Sequence, residues 1–541
     1  MERRLRLGPS EGHRLSSLFL WRNTSNAKYI LVLLSAAVVT HVPFLMSSAF
    51  FSDDAIYTYA GFAIAKGVTP YAGIALPQPP FGYMLLASEV SLAQSNLPLI
   101  RTINFTIFLL GLVFVFLAIG RFSGIPPIAF LGSLIYAVFP PILQYSFSAS
   151  VEFTYFVALI FAGLYLAFSN SPLSLFGAGV SFGLAGATWY PGIFCLVALL
   201  GLVAGNRYLD TNSIQDSLKG LVVTILGALL VITVVLGSVI IVWRAYPQFL
   251  TQSLGLQTSL RAGFSETEKI NILSSYWETF SPVLVLGVAG MIIVFFKESK
   301  SQTKSKLRKD LFVCLWFVSV FTLLVVVPKV LFPHYFWFLT PILGYFSAIT
   351  LFESVSTLRR KAERLPTALL LITLAAASVF AYSGRNAYPT GAFTNNAYNG
   401  SEEYVGQYVA NITLPGQLIW TSEPSIAFYA NRLIAPPNSS SWKVQGFFDD
   451  VFNTSFTDIA MFQHEGSGLV APVQFEQSWG SNVEVLVFIR GGGPVPYPDT
   501  LLWEGWPGTP GVSGWVSAHY SKVAILTFAG NSYWYEIWKR S

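Results

Sequence analysis

The chain is built from runs of about twenty apolar residues, each long enough to cross a bilayer as a helix. A chain made this way has few other folds open to it, because a helix satisfies its own backbone in lipid. The runs fall near 29–50, 99–120, 127–147, 152–168, 173–188, 190–205, 220–243, 279–296, 311–327, 335–354 and 366–383. The least regular are 152–168, 173–188 and 190–205, where Gly183, Gly186 and Pro191 interrupt the pattern. Membrane helices tolerate such residues. Only 11% of the chain is charged, against about 25% in soluble proteins, which excludes a soluble multidomain fold. The expectation is a polytopic α-helical membrane protein of about eleven transmembrane helices.

Basic residues set the orientation. They gather in the tail (Arg3, Arg4, Arg6, Arg14, Arg22, Lys28), in the loop 297–310, and at Arg359, Arg360, Lys361 and Arg364. The positive-inside rule places all three on the cytoplasmic face. The net charge of +5 therefore reads as topology, and no nucleic-acid partner is expected. Residues 1–28 form a cytoplasmic tail rather than a cleavable signal, because the first apolar run has no small-residue cleavage site after it. The opposite face receives 50–98, 244–278, 328–334 and everything after 384. The sequons at Asn399, Asn411, Asn438 and Asn453 lie there, and two others occur at Asn23 and Asn104. Cys195 and Cys314 sit inside apolar runs as packing residues.

The expected domains are thus 1–28, a membrane domain at 29–383, and an extracytoplasmic mixed α/β domain at 384–541. Short β-like runs recur in the last, at 416–421, 483–490, 523–529 and 533–538, with helices expected at 401–411 and 446–464. The protein is expected in the cell membrane, multi-pass.

The segment 50–90 carries the chemistry. It opens with adjacent carboxylates, Asp53 and Asp54. Either can simply cap the helix that follows. Ile56, Tyr59, Ala60, Ala63 and Ile64 then repeat with helical spacing, predicting a short helix in the interface plane with one face in lipid. Gly67, Pro70 and Tyr71 break it, and Gln78-Pro79-Pro80-Phe81 leads back to the membrane. Such a segment holds the acids at the water boundary, where a lipid-borne donor can meet an acceptor.

The pattern of two Asp, Gly67-x-x-Pro70-Tyr71 and Gln78-Pro79-Pro80-Phe81-Gly82-Tyr83 resembles the first outer loop of the GT-C membrane glycosyltransferases. The likeness is to the protein O-mannosyltransferase and aminoarabinose-transferase type, which use polyprenyl-phosphate (dolichyl-phosphate) sugars. Similar stretches follow at 148–156, 187–194, 333–341 and 402–437. The resemblance implies that Asp53 is the general base, with Asp54 its neighbour, and that Glu152 is the acid at the start of a later span. Two positions depart from the relatives: Gln78 and Trp189 stand where lysines near the donor phosphate are common. The phosphate must then be held otherwise.

The chemistry suits these residue types. A carboxylate takes the acceptor's proton as its oxygen attacks the anomeric carbon, and the leaving phosphate is already a stable anion. Its charge needs cations or donors. Outer-face candidates are Gln78, Arg261, Lys329, His334 and Tyr335, with Arg244 and Arg101 read as anchors at span ends. Interfacial snorkelling explains Lys329 and His334 equally well. Glu152 and Asp53 are the pair that would hold a divalent cation if one takes part. The acceptor is a glycan, lipid or protein.

The alternative is a transporter or flippase of a lipid-linked sugar. It is disfavoured because no internal repeat is visible and the acids sit at one face. An oligosaccharyltransferase would carry Trp-Trp-Asp in its outer domain; Trp503-Glu504-Gly505-Trp506 is not that motif.

Overall fold

A computed structural model describes residues 24–45, 54–74, 76, 78–94, 96–149, 153–169, 171–250, 253, 266–298, 304–327, 333–359, 401–421, 423–434, 483–491, 513–528 and 533–541. The predicted span 366–383, the helix at 446–464, the domain boundary at 384 and most of the N-terminal tail lie outside them.

Most of the helices follow the apolar runs. They are α1 (Thr24–Leu45), α2 (Asp54–Ala65), α3 (Pro80–Ala93), α4 (Leu97–Ser123), α5 (Pro126–Ala137), α6 (Pro140–Tyr145) and α7 (Thr154–Ala167). Then come α8 (Pro172–Thr188), α9 (Pro191–Thr211), α10 (Ile214–Gly237), α11 (Glu266–Glu298), α12 (Lys304–Val326) and α13 (Thr340–Arg359). Many open with proline in the first turn, where its missing N–H costs nothing. Asn96 caps α4, its Oδ1 accepting from Leu99 N at 3.0 Å, and Gly124 closes it at φ 62°. Among the described residues five helices are long and apolar enough to cross a membrane: Leu97–Ser123, Pro191–Thr211, Ile214–Val242, Lys309–Val326 and Tyr335–Ser354. Shorter apolar helices lie between them. Leu218, Val222, Leu226 and Leu229 of α10 are all exposed, an apolar face that fits lipid.

Several expectations change. The run 127–147 is two helices, because Pro140 and Pro141 cannot continue α5. The outer loop expected at 244–278 is partly helical, since α11 begins at Glu266. Gly183 is not a break: α8 runs through it, and glycines on α8 meet α10 closely. The segment Pro80–Ala93 is a helix that the apolar runs did not reveal.

The described part of 401–541 holds α14 (Ser401–Ile412), β1 (Leu418–Thr421), α15 (Pro424–Ala430), β2 (Val483–Gly491), α16 (Ser513–His519), β3 (Tyr520–Thr527) and β4 (Tyr533–Arg540). The four strands form one sheet in the order β1-β2-β4-β3. The β1–β2 pair is parallel and the other two pairs are antiparallel. All four coincide with the β-like runs. One apolar core joins this unit to α2: Tyr57, Tyr59 and Phe62 share it with Val405, Phe428, Val487 and Ile537.

An acid pair, one member of it buried, lies in that unit. Glu402, in the first turn of α14, is buried, and Glu423 accepts a hydrogen bond from Ser425 Oγ at 3.0 Å. Burial and the neighbouring Glu423 push the Glu402 carboxyl well above its usual range. The folded state therefore holds a proton that the unfolded state releases, and stability is lost as pH rises through the folded pKa. Glu402→Gln should melt higher than the wild type at pH 8 and the same at pH 4, followed by thermal unfolding in detergent.

Candidate functional site

The helix α2 is enclosed rather than lying half in lipid. Every residue from Tyr57 to Ala63 is buried, because aromatic and small residues surround the helix and an all-apolar helix seeks burial on every side. On one side lies α3, where a Cβ added at Gly61 would stand 2.8 Å from the Leu86 carbonyl carbon. On another lies the unit that carries α14, α15 and the four-stranded sheet. Phe62 meets Phe428 of α15 edge-on at 5.9 Å, and Tyr59 Oη accepts from Ile434 N at 2.7 Å.

Asp54 opens α2 and is 1% exposed. Its Oδ1 accepts from Ala149 N at 2.6 Å and from Thr58 Oγ1 at 3.5 Å. Its Oδ2 lies 3.8 Å from Arg101 Nη2, and Arg101 is also 1% exposed. The guanidinium sits over the Phe147 ring at 5.7 Å. Asp54 and Arg101 together thus clasp the turn 146–149. Burial pushes the Asp54 carboxyl up, while the Arg101 charge and the Ala149 N–H oppose that. Tyr429 of α15 is near enough for its phenol to sense both charges.

Behind this pair, Glu89 of α3 is 2% exposed. Its carboxylate accepts from Asn104 Nδ2 at 2.8 Å and from the Tyr155 hydroxyl. Asn104 Oδ1 in turn accepts from Thr154 Oγ1 at 3.2 Å.

Gln78 centres a second cluster. Its carbonyl accepts from Tyr71 Oη at 2.8 Å and from Ser253 Oγ at 3.2 Å, and its N–H reaches Tyr83 Oη at 3.4 Å. Ser253 also bonds the Tyr190 hydroxyl. The Gln78 side-chain oxygen is buried and has no hydrogen-bond partner among the described residues. Tyr71 holds φ 64°, which a bulky residue rarely adopts. Its hydrogen bond and its contacts with Trp243 and Phe249 sustain that backbone.

Next to Tyr190, Trp189 is buried against Phe156, Phe338 and Tyr335, with Tyr335 edge-on at 5.3 Å. The Trp189-Tyr190 step thereby links Gln78 and Tyr335. The Trp189 position, expected from the resemblance to carry a lysine, is an aromatic packing site. His334 falls in the 3₁₀ segment Pro333–Leu339.

Asp53, Glu152, Arg261 and Lys329 lie outside the described residues. Among the described residues no three His, Cys, Asp or Glu side chains come together as a metal site. The structure gives two residues a place that the sequence reading did not. Arg101 is not a span-end anchor: it is buried against Asp54. Glu89 was passed over altogether. The signal for Arg101 was its spacing from Asn104, i and i+3, which sets two polar residues on one face of an apolar helix.

Compared with solved structures, the chain superposes on ArnT from Cupriavidus metallidurans bound to undecaprenyl phosphate, with a TM-score of 0.61 and 13% identity over 94% of this chain and 98% of that one. The chain has the ArnT fold. The apo ArnT structure matches at 0.58, also at 13% identity, over 95% and 98%. The S. cerevisiae protein O-mannosyltransferase Pmt1-Pmt2 complex bound to the sugar donor scores 0.36, with 15% identity over 47% of this chain and 37% of that one. No family profile and no curated protein matches the sequence. Both solved proteins are GT-C membrane glycosyltransferases. The fold and the apolar helices make this a multi-pass membrane protein.

Proposed function

We propose that the chain is an inverting glycosyltransferase that moves one sugar from a polyprenyl-phosphate carrier to an acceptor on the outer face of the membrane. The observation that carries this reading is the buried Asp54–Arg101 pair at the head of the membrane domain, roofed by the outer unit. The ArnT fold supports it, and the ArnT structure bound to undecaprenyl phosphate indicates the class of donor.

In this reading the Asp53 carboxylate takes the proton of the acceptor hydroxyl. The acceptor oxygen bonds to the anomeric carbon as the bond from that carbon to the phosphate oxygen breaks, and the polyprenyl phosphate leaves with the electron pair. Asp54, fixed by Ala149 N and Arg101, holds the start of α2 and so aims its neighbour. Arg101 supplies buried positive charge, which compensates in part for the absence of lysine at Gln78 and Trp189. Glu152 stays the candidate for positioning the acceptor. Lys329, Arg261 and His334 are the remaining candidates for the phosphate, with Tyr335 and Gln78 shaping the donor side. A divalent cation, where one takes part, would fall to Asp53 and Glu152. The basic loops favour an orientation with residues 1–28 in the cytoplasm, the catalytic membrane domain over 29–383 and the domain 384–541 outside.

The test compares donor classes on membranes containing the protein. Labelled polyprenyl-phosphate hexose and pentose, a polyprenyl-diphosphate oligosaccharide and a nucleotide sugar are supplied in parallel. Transfer from a monophosphate donor alone is the expected result. Transfer from the diphosphate or nucleotide donor, or from none, overturns the reading.

A further inference from the structure

The buried acid Glu89 has no part in the chemistry above. Among the described residues its hydrogen-bond partners are Asn104 and Tyr155, and through them it ties three helices together. From α3 its two carboxylate oxygens receive Asn104 of α4 and Tyr155 of α7. Asn104 takes Thr154 of α7 on its other side and also donates to its own helix at Ile100 O, 3.1 Å away. Arg101 lies one turn earlier on the same face of α4. The rotation of α4 that seats Asn104 against Glu89 is therefore the rotation that presents Arg101 to Asp54.

We propose that Glu89 is a positioning residue for sugar transfer, which sets the Asp54–Arg101 pair through Asn104 and lies within range of the Asp54 charge. The proposal rests on the reading of the chain as a glycosyltransferase. A scaffold alone would not need a carboxylate in this place: an amide or a packed apolar side chain would join the helices without burying an ionisable group. The groups that face Glu89 are Tyr155 from α7, Asn104 from α4 and, at longer range, Asp54 from α2. Burial lifts its carboxyl to about 7, with the two hydrogen bonds opposing and Asp54 reinforcing the rise. It can therefore change charge near neutral pH within range of the Asp54 carboxyl.

The experiment uses the full-length protein and Glu89→Gln, which keeps the shape and removes the charge. Infrared titration should show a protonated-carboxyl band in the wild type that disappears with a midpoint near 7. The band should be absent in Glu89→Gln, and its midpoint should fall in Asp54→Asn, where the like charge is gone. A midpoint unchanged by Asp54→Asn overturns the coupling. In the transfer assay, Glu89→Gln should move the rising limb of the kcat profile to lower pH with little change in donor KM. A profile that keeps its shape while overall activity drops means a structural tie only, and overturns the proposal as well. A wild type inert with every donor defeats the glycosyltransferase reading, and the infrared coupling still decides the role of Glu89.

Discussion

Asp53→Asn membranes should transfer sugar at least ~10²–10⁴-fold more slowly than wild type, the range expected when a general base is removed. Donor KM should change little, since the base contributes to the transition state rather than to holding the lipid. Asp54→Asn and Arg101→Met should fail differently. Both partners are buried, so removing one takes an opposite charge at 3.8 Å from the other, at a cost of about 3–5 kcal/mol in stability. In Arg101→Met the charge that holds the Asp54 carboxyl down is also gone, which leaves Asp54 more protonated at neutral pH. The double variant Asp54→Asn, Arg101→Met removes both charges and should recover much of the melting temperature that either single change loses. Its activity should stay low, because the hold on the start of α2 proposed to aim Asp53 is then gone. Full activity in the double variant would show that the pair is structural and that Asp53 needs no partner. An unaltered Asp53→Asn would remove the base from the scheme.

How much of this was legible in the sequence differs between the fold and the site. Hydrophobic run length located α8, α9 and the β-strands closely, because lipid and a packed sheet each impose a simple period on apolar residues. The same signal missed α3, where Glu89 and two serines dilute the run, and it overran Pro140. It also misjudged α2. Periodicity says which face is apolar but not what covers it, and the cover is α15, more than three hundred residues later. Asp54 was readable from its place after an apolar run. Arg101 was not, since a basic residue near a span end is usually an anchor, and only its three-dimensional neighbour separates the two cases. The aromatic environment of Trp189 likewise depends on Phe156 and Tyr335, which no local pattern brings together.

A second variant should have an effect as large as any at the site, though it lies far along the chain. Gly179→Val should prevent accumulation of the folded protein. A Cβ at Gly179 would stand 1.9 Å from the Thr224 carbonyl oxygen of α10, far inside contact distance. The obstacle is backbone on a helix that cannot give way locally. Facing it, a Cβ at Gly227 would stand 2.2 Å from the Phe176 carbonyl, and one at Gly183 would be 3.1 Å from Ala228 Cα. Gly179-x-x-x-Gly183 on α8 thus meets Gly227 and Ala228 on α10 in a small-residue crossing. In lipid no hydrophobic force drives helices together, so close backbone packing carries their association. Valine must push α10 outward and forfeit contacts along the crossing; overpacking of this kind costs about 1–3 kcal/mol even where side chains can adjust, and here they cannot. Gly201→Ala in α9 is the control. A Cβ there meets nothing within 4 Å, and alanine favours the helix by ~1 kcal/mol. Size-exclusion profiles and melting curves in detergent separate the two. If Gly179→Val behaves like Gly201→Ala, the α8–α10 crossing is looser than the backbone distances require.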